Sequence, residues 1–490
     1  MDILTFVSQL LRSGLGNLGA YLAAHVLLCL VPAFYIAGAM TALIPKETVT
    51  RFLGRNTPKF ISYPAAALAG SVLAVCSCTI VPLFAGIYKK GAGLGPAITF
   101  LFFAPAGNLL ALAYTGVVIG PDLAAARLFL SLAFGVGIGL IMALIFRRAD
   151  AAHDQTTDAM FAGRGAMSRP ALAFLLVLIA LLIAGTLKVD LLTNAYAQLT
   201  LPIAGVDRFQ EFLFNLAPFD ASQGEEGITA QGALLIGLLA LIGLTAWRGM
   251  ENVLEGTNRW TLAALTLTGL TLLVAALGVT PQADGVILAV TGRFFAVALG
   301  LLALVAIARQ IEPYACQEWL WESWRFVKQI FPLLVAGVFV VGVLRALIRP
   351  EWIEALAGTN SILGNLAGVL FGVFMYFPTL VEVPIANMFL GLGMHRGPLL
   401  AYLMADPELS LQSILIIATI IGRVKAWVYV GWVAVFSALA GLLYGAWVDG
   451  ASAWLLGGYI AAVLGALALA LYWFNRRNTR DLAARSAIIH

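Results

Sequence analysis

The sequence predicts an all-α polytopic membrane protein in which two inverted-topology repeats, each with a broken, re-entrant hairpin, flank a four-helix insert. Three observations carry that prediction. The chain is 61% hydrophobic and 11% charged, with a mean hydropathy of +0.94, where a soluble domain carries roughly 25% charged residues. Apolar runs long enough to cross a bilayer recur along it, parted by short charged loops. Prolines and glycines of the first third return, in the same order, in the last third. The composition also excludes several classes. The net charge of +4 sits in loops and implies no nucleic acid. Four cysteines in 490 residues make no disulfide framework. The opening MDILTF has no basic region before its apolar run, so a cleaved signal peptide is not expected. No G-x-x-x-x-G-K-[ST] is present, so the chain has no ATPase site of its own. Its energy source is then a gradient or a partner protein.

Residues 1–16 read as a short amphipathic lead-in at the membrane interface, followed by a first span over 17–44. The loop 45–59 holds Lys46, Arg51, Arg55 and Lys59 against Glu47 and is placed inside by the positive-inside rule. Apolar runs follow at 60–88, 94–120 and 123–146, and then a second basic loop, 147–169. Two inner loops need an even number of crossings between them, so one of the three runs does not cross. The run 60–88 is the expected re-entrant hairpin, because it contains Cys76-Ser77-Cys78 and Pro82 and ends at Lys89-Lys90. Four spans follow, at 170–187, 230–247, 260–278 and 285–308, with the acidic connection 188–229 outside. The segment 309–328, rich in Trp, is expected to lie at the interface as a separate amphipathic helix.

The last third then repeats the first. ALIPKETVTRFLG at 42–54 aligns with ALIRPEWIEALAG at 346–358, and a slip to an offset of 302 pairs Gly70 with Gly372, Pro82 with Pro384, Gly95-Pro96 with Gly397-Pro398, and Pro105 with Pro407. Backbone need, not composition, sets such positions. The lead span of the second copy, 326–348, starts inside and runs outward, opposite to the first. With 361–390 also re-entrant, the charged loops that follow alternate correctly and the tail after 476 lies inside. The expected count is about eleven crossings with two re-entrant hairpins. The expected divisions are a first repeat over 1–146, an insert over 147–325, a second repeat over 326–447, and a last helix with a basic tail over 448–490.

Helix-breaking backbone at membrane depth lines cavities or is buried in protein, and paired breaks point to a transport site. Chemistry is therefore expected at the two hairpins. Cys76 and Cys78 offer soft ligands that suit thiophilic centres, with Cys29 as a third sulfur; the bland alternative is a pair of small hydrophobes. In the second hairpin, YFPTLVEVPIAN, Glu382 lies between two prolines. A carboxylate at membrane depth is a functional hypothesis by default, here proton coupling; the alternative is a cap on exposed backbone. Asp406 and Glu408 flank Pro407 where the first copy has Ala104 and Ala106, and are expected as a cation or proton site, with a helix N-terminal role as the plain reading of Glu408. Asn108 and Asn387 present amides to substrate or to freed backbone. Ser77, Pro82, Pro378 and Thr379 complete the expected substrate-binding set. His25, one turn before Cys29, reads as structural, and Arg293 and Arg345 as snorkelling. Cys316 reads as incidental.

At CSCTIVPLFAGIYKKGAGLGPAITFLFFAPAGN the chain resembles the permease family that includes the ArsP organoarsenical exporters and the YraQ-type permeases. PTLVEVPIANMFLGLGMHRGP is similar to the second motif of that family, a Glu two residues before a Pro, which falls on Glu382 and Pro384. The resemblance covers about 20–146 and 326–446 and implies export of trivalent organoarsenicals through membrane thiols. The spans and loops at 170–308 depart from it and bear on the substrate more than on the fold. The expectation is a multi-pass permease of the inner (plasma) membrane, not an enzyme, with a small-molecule substrate, the lipid bilayer and a proton gradient as partners and no cofactor. The rival is a membrane thiol–disulfide electron carrier of the CcdA type. Such a carrier needs a reactive cysteine in each half, and Pro378 and Leu380 stand opposite Cys76 and Cys78. Another small solute or a soft metal ion is the alternative cargo. A scaffold whose insert recruits a partner is the third reading.

Overall fold

The computed structural model describes residues 3–24, 26–72, 77–161, 168–187, 189–203, 205–216, 227–282, 285–345, 347, 350–374, 382–452, 454–458, 461 and 465. The first third comprises α1 (Ile3–Ala24), a π-helical turn at Val26–Leu30, α2 (Val31–Leu43), α3 (Lys46–Leu53), α4 (Lys59–Val72), α5 (Ser77–Lys89), α6 (Leu94–Ala106), α7 (Leu109–Val118) and α8 (Pro121–Ile145). The middle holds α9 (Arg147–Phe161), α10 (Arg169–Thr186), α11 (Asp190–Thr193), α12 (Val206–Leu216), α13 (Ala230–Met250), α14 (Arg259–Ala275) and α15 (Gly292–Ala308). The last third comprises α16 (Pro313–Arg345), α17 (Pro350–Ala357), α18 (Ile362–Phe374), α19 (Glu382–Gly391), α20 (Arg396–Leu409), α21 (Leu411–Ile421) and α22 (Arg423–Val448). Three strands, β1 (Ala195–Leu201), β2 (Gly278–Gln282) and β3 (Gly285–Thr291), form an antiparallel sheet in the order β1-β3-β2.

The molecule is an all-α polytopic membrane protein carrying that small sheet. Among the described residues six helices are long and apolar enough to cross a bilayer, rising to eight when two bent pairs each count as a span. That is fewer than about eleven crossings read from hydropathy. The difference lies in α14 and α15, each of 17 residues, and in the tail, which falls mostly outside the described residues.

The helix order of the first third recurs in the last. Helices α6, α7 and α8 reappear as α20, α21 and α22 at a displacement of about 302 residues, and α4 reappears as α18. Close contacts recur with them. A Cβ added at Gly70 would lie 3.0 Å from the Ala104 nitrogen, and one at Gly372 would lie 2.8 Å from that of Asp406, the equivalent position. Gly139 and Gly95 press backbone to backbone between α8 and α6, just as Gly441 and Gly397 do between α22 and α20. Helices α8 and α22 run antiparallel: Tyr444, near the end of α22, bonds Asp122 at the start of α8, while Lys425, at the start of α22, bonds Tyr88 beside α9. Midway along, the rings of the equivalent Phe134 and Phe436 meet at a tilt of 55° with centroids 4.9 Å apart.

Three local expectations are corrected. The lead-in is not a separate interfacial segment: α1 spans Ile3–Ala24, because its polar residues bond to α16, Ser13 to the Gly342 carbonyl and Asn17 to that of Val338, each at 2.9 Å. The Trp-rich segment is likewise the start of α16, one helix of 33 residues. Its indoles find protein partners, Trp319 on the Tyr35 carbonyl and Trp324 on Glu251. The expected spans 260–278 and 285–308 both lose an end to the sheet, the first to β2 and the second to β3, whose GVILAVT is a short apolar run that strand and helix satisfy equally.

Candidate functional site

The helices that follow the two expected hairpins pack across to the opposite copy. Helix α5 packs against α21, and α19, its counterpart, packs against α7. Helix α6 ends at Ala106 and α7 starts at Leu109, so Gly107 and Asn108 form the first break. Helix α20 ends at Leu409 and α21 starts at Leu411, with a bend of 48°. Ser410, at this second break, has φ −56° and ψ 139°, which leaves the last carbonyls of α20 without helical partners.

A buried charge pair joins the two copies. Arg127, on α8, is 0% exposed. Its Nε donates to the Ala106 carbonyl at 3.0 Å, closing the end of α6, and one terminal nitrogen donates to Thr115 of α7 at 3.3 Å. The other pairs with Glu382, the first residue of α19. One side chain therefore ties the first break to the second hairpin. In the second copy the position equivalent to Arg127 is Tyr429, and that equivalent to Ala106 is Glu408. Tyr429 Oη donates to Glu408 Oε2, so the same bracing recurs with a phenol and a carboxyl in place of a guanidinium and a carbonyl.

Of the expected site residues, Glu382, Asp406 and Glu408 are all buried in the core, at 0%, 0% and 2% exposure. Asn108 is buried in the first break. Pro82 lies within α5, and Asn387 is on an exposed position of α19, away from the buried cluster. His25, Cys76, Pro378 and Thr379 lie outside the described residues, as do the side chains of Ser77, Cys78 and Arg345. Ser77 and Cys78 open α5. Cys29 lies in the π-turn, a frequent feature of functional sites, and its thiol is 2.7 Å from Thr79 Oγ1. It therefore faces the turn of α5 that bears Cys78. Arg293 donates to the Leu187 carbonyl at 3.0 Å, holding the insert together. Arg127 and Tyr429 were the residues that the motif reading passed over. A lone Arg in PDLAAARLFLSLAF is the signal that would have found the first, since charge at membrane depth is costly without a partner.

The two ends of the interface differ. At one, the carboxylate of Asp122 is gripped by Arg396 at 3.0 and 3.1 Å and by Tyr444 at 2.8 Å, tying α8 to α20 and α22. At the other, a cleft of about 370 Å³ opens between the copies, lined by Tyr88, Lys89, His153, Thr419 and Lys425 among others. Beside it Asp150 of α9 accepts from the Leu94 amide at 2.9 Å, capping α6. Burial raises the Asp150 carboxyl above its ordinary range, although that amide, Arg55, His153 and Lys425 all act to lower it.

Comparison with known proteins places this geometry in context. The profile of a family described as "Predicted permease", ArsP_1, matches residues 13–446. The UPF0718 protein MJ0584 of Methanocaldococcus jannaschii is 32% identical over 445 residues, covering 91% of this chain and 98% of that one. The UPF0718 proteins YraQ of Escherichia coli and YcgR of Bacillus subtilis are 28% and 27% identical over 124 and 114 residues. Those matches cover 25% and 23% of this chain and 35% and 38% of the relatives. No solved structure matches.

Proposed function

The chain belongs to the ArsP_1 family of predicted permeases, and on that premise we propose that it exports a small thiol-reactive solute across the inner membrane, with trivalent organoarsenicals as the first candidate. Two inverted repeats would alternate access, driven by a gradient. The observation that carries the reading is the crossed packing of one helix of each expected hairpin on the helix beyond the break of the other copy, α5 on α21 and α19 on α7. Paired broken helices at a repeat interface are where secondary transporters place substrate and ion sites.

The thiol preference is supported by Cys29, whose sulfur meets the first turn of α5. Soft sulfur ligands favour soft centres, and Cys76 and Cys78 belong to the same hairpin. Asn108, Ser77, Pro82, Pro378 and Thr379 make up the rest of the proposed path, and its coupling group is drawn from the buried carboxylates Glu382, Asp406 and Glu408. The cleft on the side of the basic loops, opposite the Asp122–Arg396 clamp, suits a state open toward the cytoplasm.

The test is accumulation of methylarsenite in everted vesicles under a proton gradient, with the native chain and with Cys76→Ser/Cys78→Ser. Gradient-dependent uptake by the native chain, reduced at least about tenfold (roughly 1.4 kcal/mol) in the double variant, is expected. Uptake that survives the double variant removes the thiols from the path, and no uptake by either protein removes the arsenical.

A further inference from the structure

We propose that Glu408, held by Tyr429 at the break between α20 and α21, is the proton-binding carboxyl of this permease, and that Glu382 is a fixed charge. The inference deepens the permease reading and rests on it.

The two carboxylates are equally deep in the protein but differ in what faces them. Glu382 is neutralised by Arg127, whose remaining nitrogens are held by Ala106 and Thr115. The charge is balanced locally, because a guanidinium does not deprotonate in proteins, although Glu382 Oε2 takes no hydrogen bond among the described residues. Glu408 has no such charged partner among the described residues. Its Oε2 accepts from the Tyr429 phenol, and its Oε1 takes no hydrogen bond among the described residues. An ionised carboxylate buried with one neutral donor bears a desolvation penalty of several kcal/mol, whereas the neutral acid avoids it. Glu408 therefore carries a proton in this conformation.

Among the described residues, the elements packed on α20 supply no counter-charge to it. Helix α20 packs on α6, α8, α18, α19, α21 and α22. Of these, α6, α18 and α21 contain no Asp, Glu, Lys, Arg, His, Tyr or Cys. Helix α8 contributes Asp122, bound to Arg396, and Arg127; α19 contributes Glu382, bound to Arg127. Helix α22 contributes Tyr429 at the carboxyl itself, Arg423 and Lys425 at its start and Tyr444 at its end. On α20 itself Tyr402 and Asp406 are buried neighbours and Arg396 sits at the far end.

The position also suits a coupling group. Glu408 is two residues before Ser410, where the 48° bend falls. Any swing of α21 against α20 changes the solvent access of Glu408 and with it the affinity for a proton, so proton binding and conformation are linked. The first copy has no titratable group at the matching place, since Ala106 offers Arg127 only a backbone carbonyl. The two breaks are thus braced alike, but the second alone can exchange a proton there.

The experiment is infrared difference spectroscopy on the full chain in phosphatidylethanolamine/phosphatidylglycerol vesicles as the pH is raised. The native chain should show the carbonyl stretch of a protonated buried carboxyl that disappears at high pH. Glu408→Gln should abolish it, and Asp406→Asn and Glu382→Gln should keep it. Tyr429→Phe, which preserves shape, should move the band to higher frequency by removing the phenol hydrogen bond; it decides the matter if Glu408→Gln fails to fold. A native chain without the band, a band that survives Glu408→Gln, or a band indifferent to Tyr429→Phe overturns the proposal. The measurement uses no substrate, so a titrating band together with absent methylarsenite uptake keeps Glu408 and removes only the arsenical.

Discussion

Arg127 sets the charge balance of the interior, and its replacement separates a structural pair from a merely adjacent one. Removing one partner of a buried pair leaves the other charge desolvated, at a cost of about 3–5 kcal/mol, whereas replacing both by apolar groups is often neutral. Arg127→Leu is therefore expected to lower the thermal unfolding temperature of the detergent-purified protein sharply. Arg127→Leu/Glu382→Leu should recover most of the loss. A double variant as unstable as the single one would mean that the bonds to Ala106 and Thr115, not the pair, carry the stability. The sequence announced Glu382 through its place between Pro378 and Pro384, yet Arg127 has no such flag. What it pairs with is 255 positions away, and only the folded arrangement brings the two together. Asp406 and Glu408 were legible as an oddity of the second copy, because the first has alanines there. That Tyr429 would hold Glu408 was not, although it stands at the position equivalent to Arg127.

Elements were legible where backbone need is written into the residue type. Glycines at 95, 139, 397 and 441 let α6 meet α8 and α20 meet α22 at backbone contact, and that is why they recur at one offset. A Cβ at Gly441 would lie 2.5 Å from the Gly397 carbonyl oxygen and would also strike Asn365. Gly431, on the same helix, has nothing within 4 Å. Gly441→Ala is expected to destabilise the protein by about 1–3 kcal/mol through overpacking. Gly431→Ala should leave it unchanged or raise its stability by up to about 1 kcal/mol through helix propensity. Thermal melts of the two variants check this, and equal melts would mean that the α20–α22 contact relaxes freely. Elements were misread where continuity depends on partners far along the chain. Nothing local says that 313–345 is a single helix, because its tryptophans and charges suit an interface as well as they suit Tyr35 and Glu251. The strands of the insert were missed for a related reason: GVILAVT pairs with AYAQLTL, some 90 positions earlier.

At the scale of the whole molecule, the relation between the copies determines which face each presents. The antiparallel course of α8 and α22, with equivalent Phe134 and Phe436 touching midway, is what two copies related by an axis in the membrane plane would give. Charge bias leads to the same arrangement independently, since the loop at 45–59 is basic while its counterpart near 350–358 holds Glu351 and Glu354. Asn56, between α3 and α4, and Glu354, on α17, are both exposed and occupy nearly corresponding places in the two copies. In a Cys316→Ser background, Asn56→Cys should react with a membrane-impermeant maleimide in everted vesicles, and Glu354→Cys should react only in right-side-out ones. Labelling of both from one face would mean that the copies are parallel. The two copies would then lack the inverted relation by which one can take up the conformation of the other, and alternation of access between the Asp122–Arg396 clamp and the cleft around Lys425 would lose its physical basis. Opposite labelling instead supports exchange of access between the clamp and the cleft, which lie at opposite ends of α22, with the Arg127–Glu382 pair and Glu408 between them.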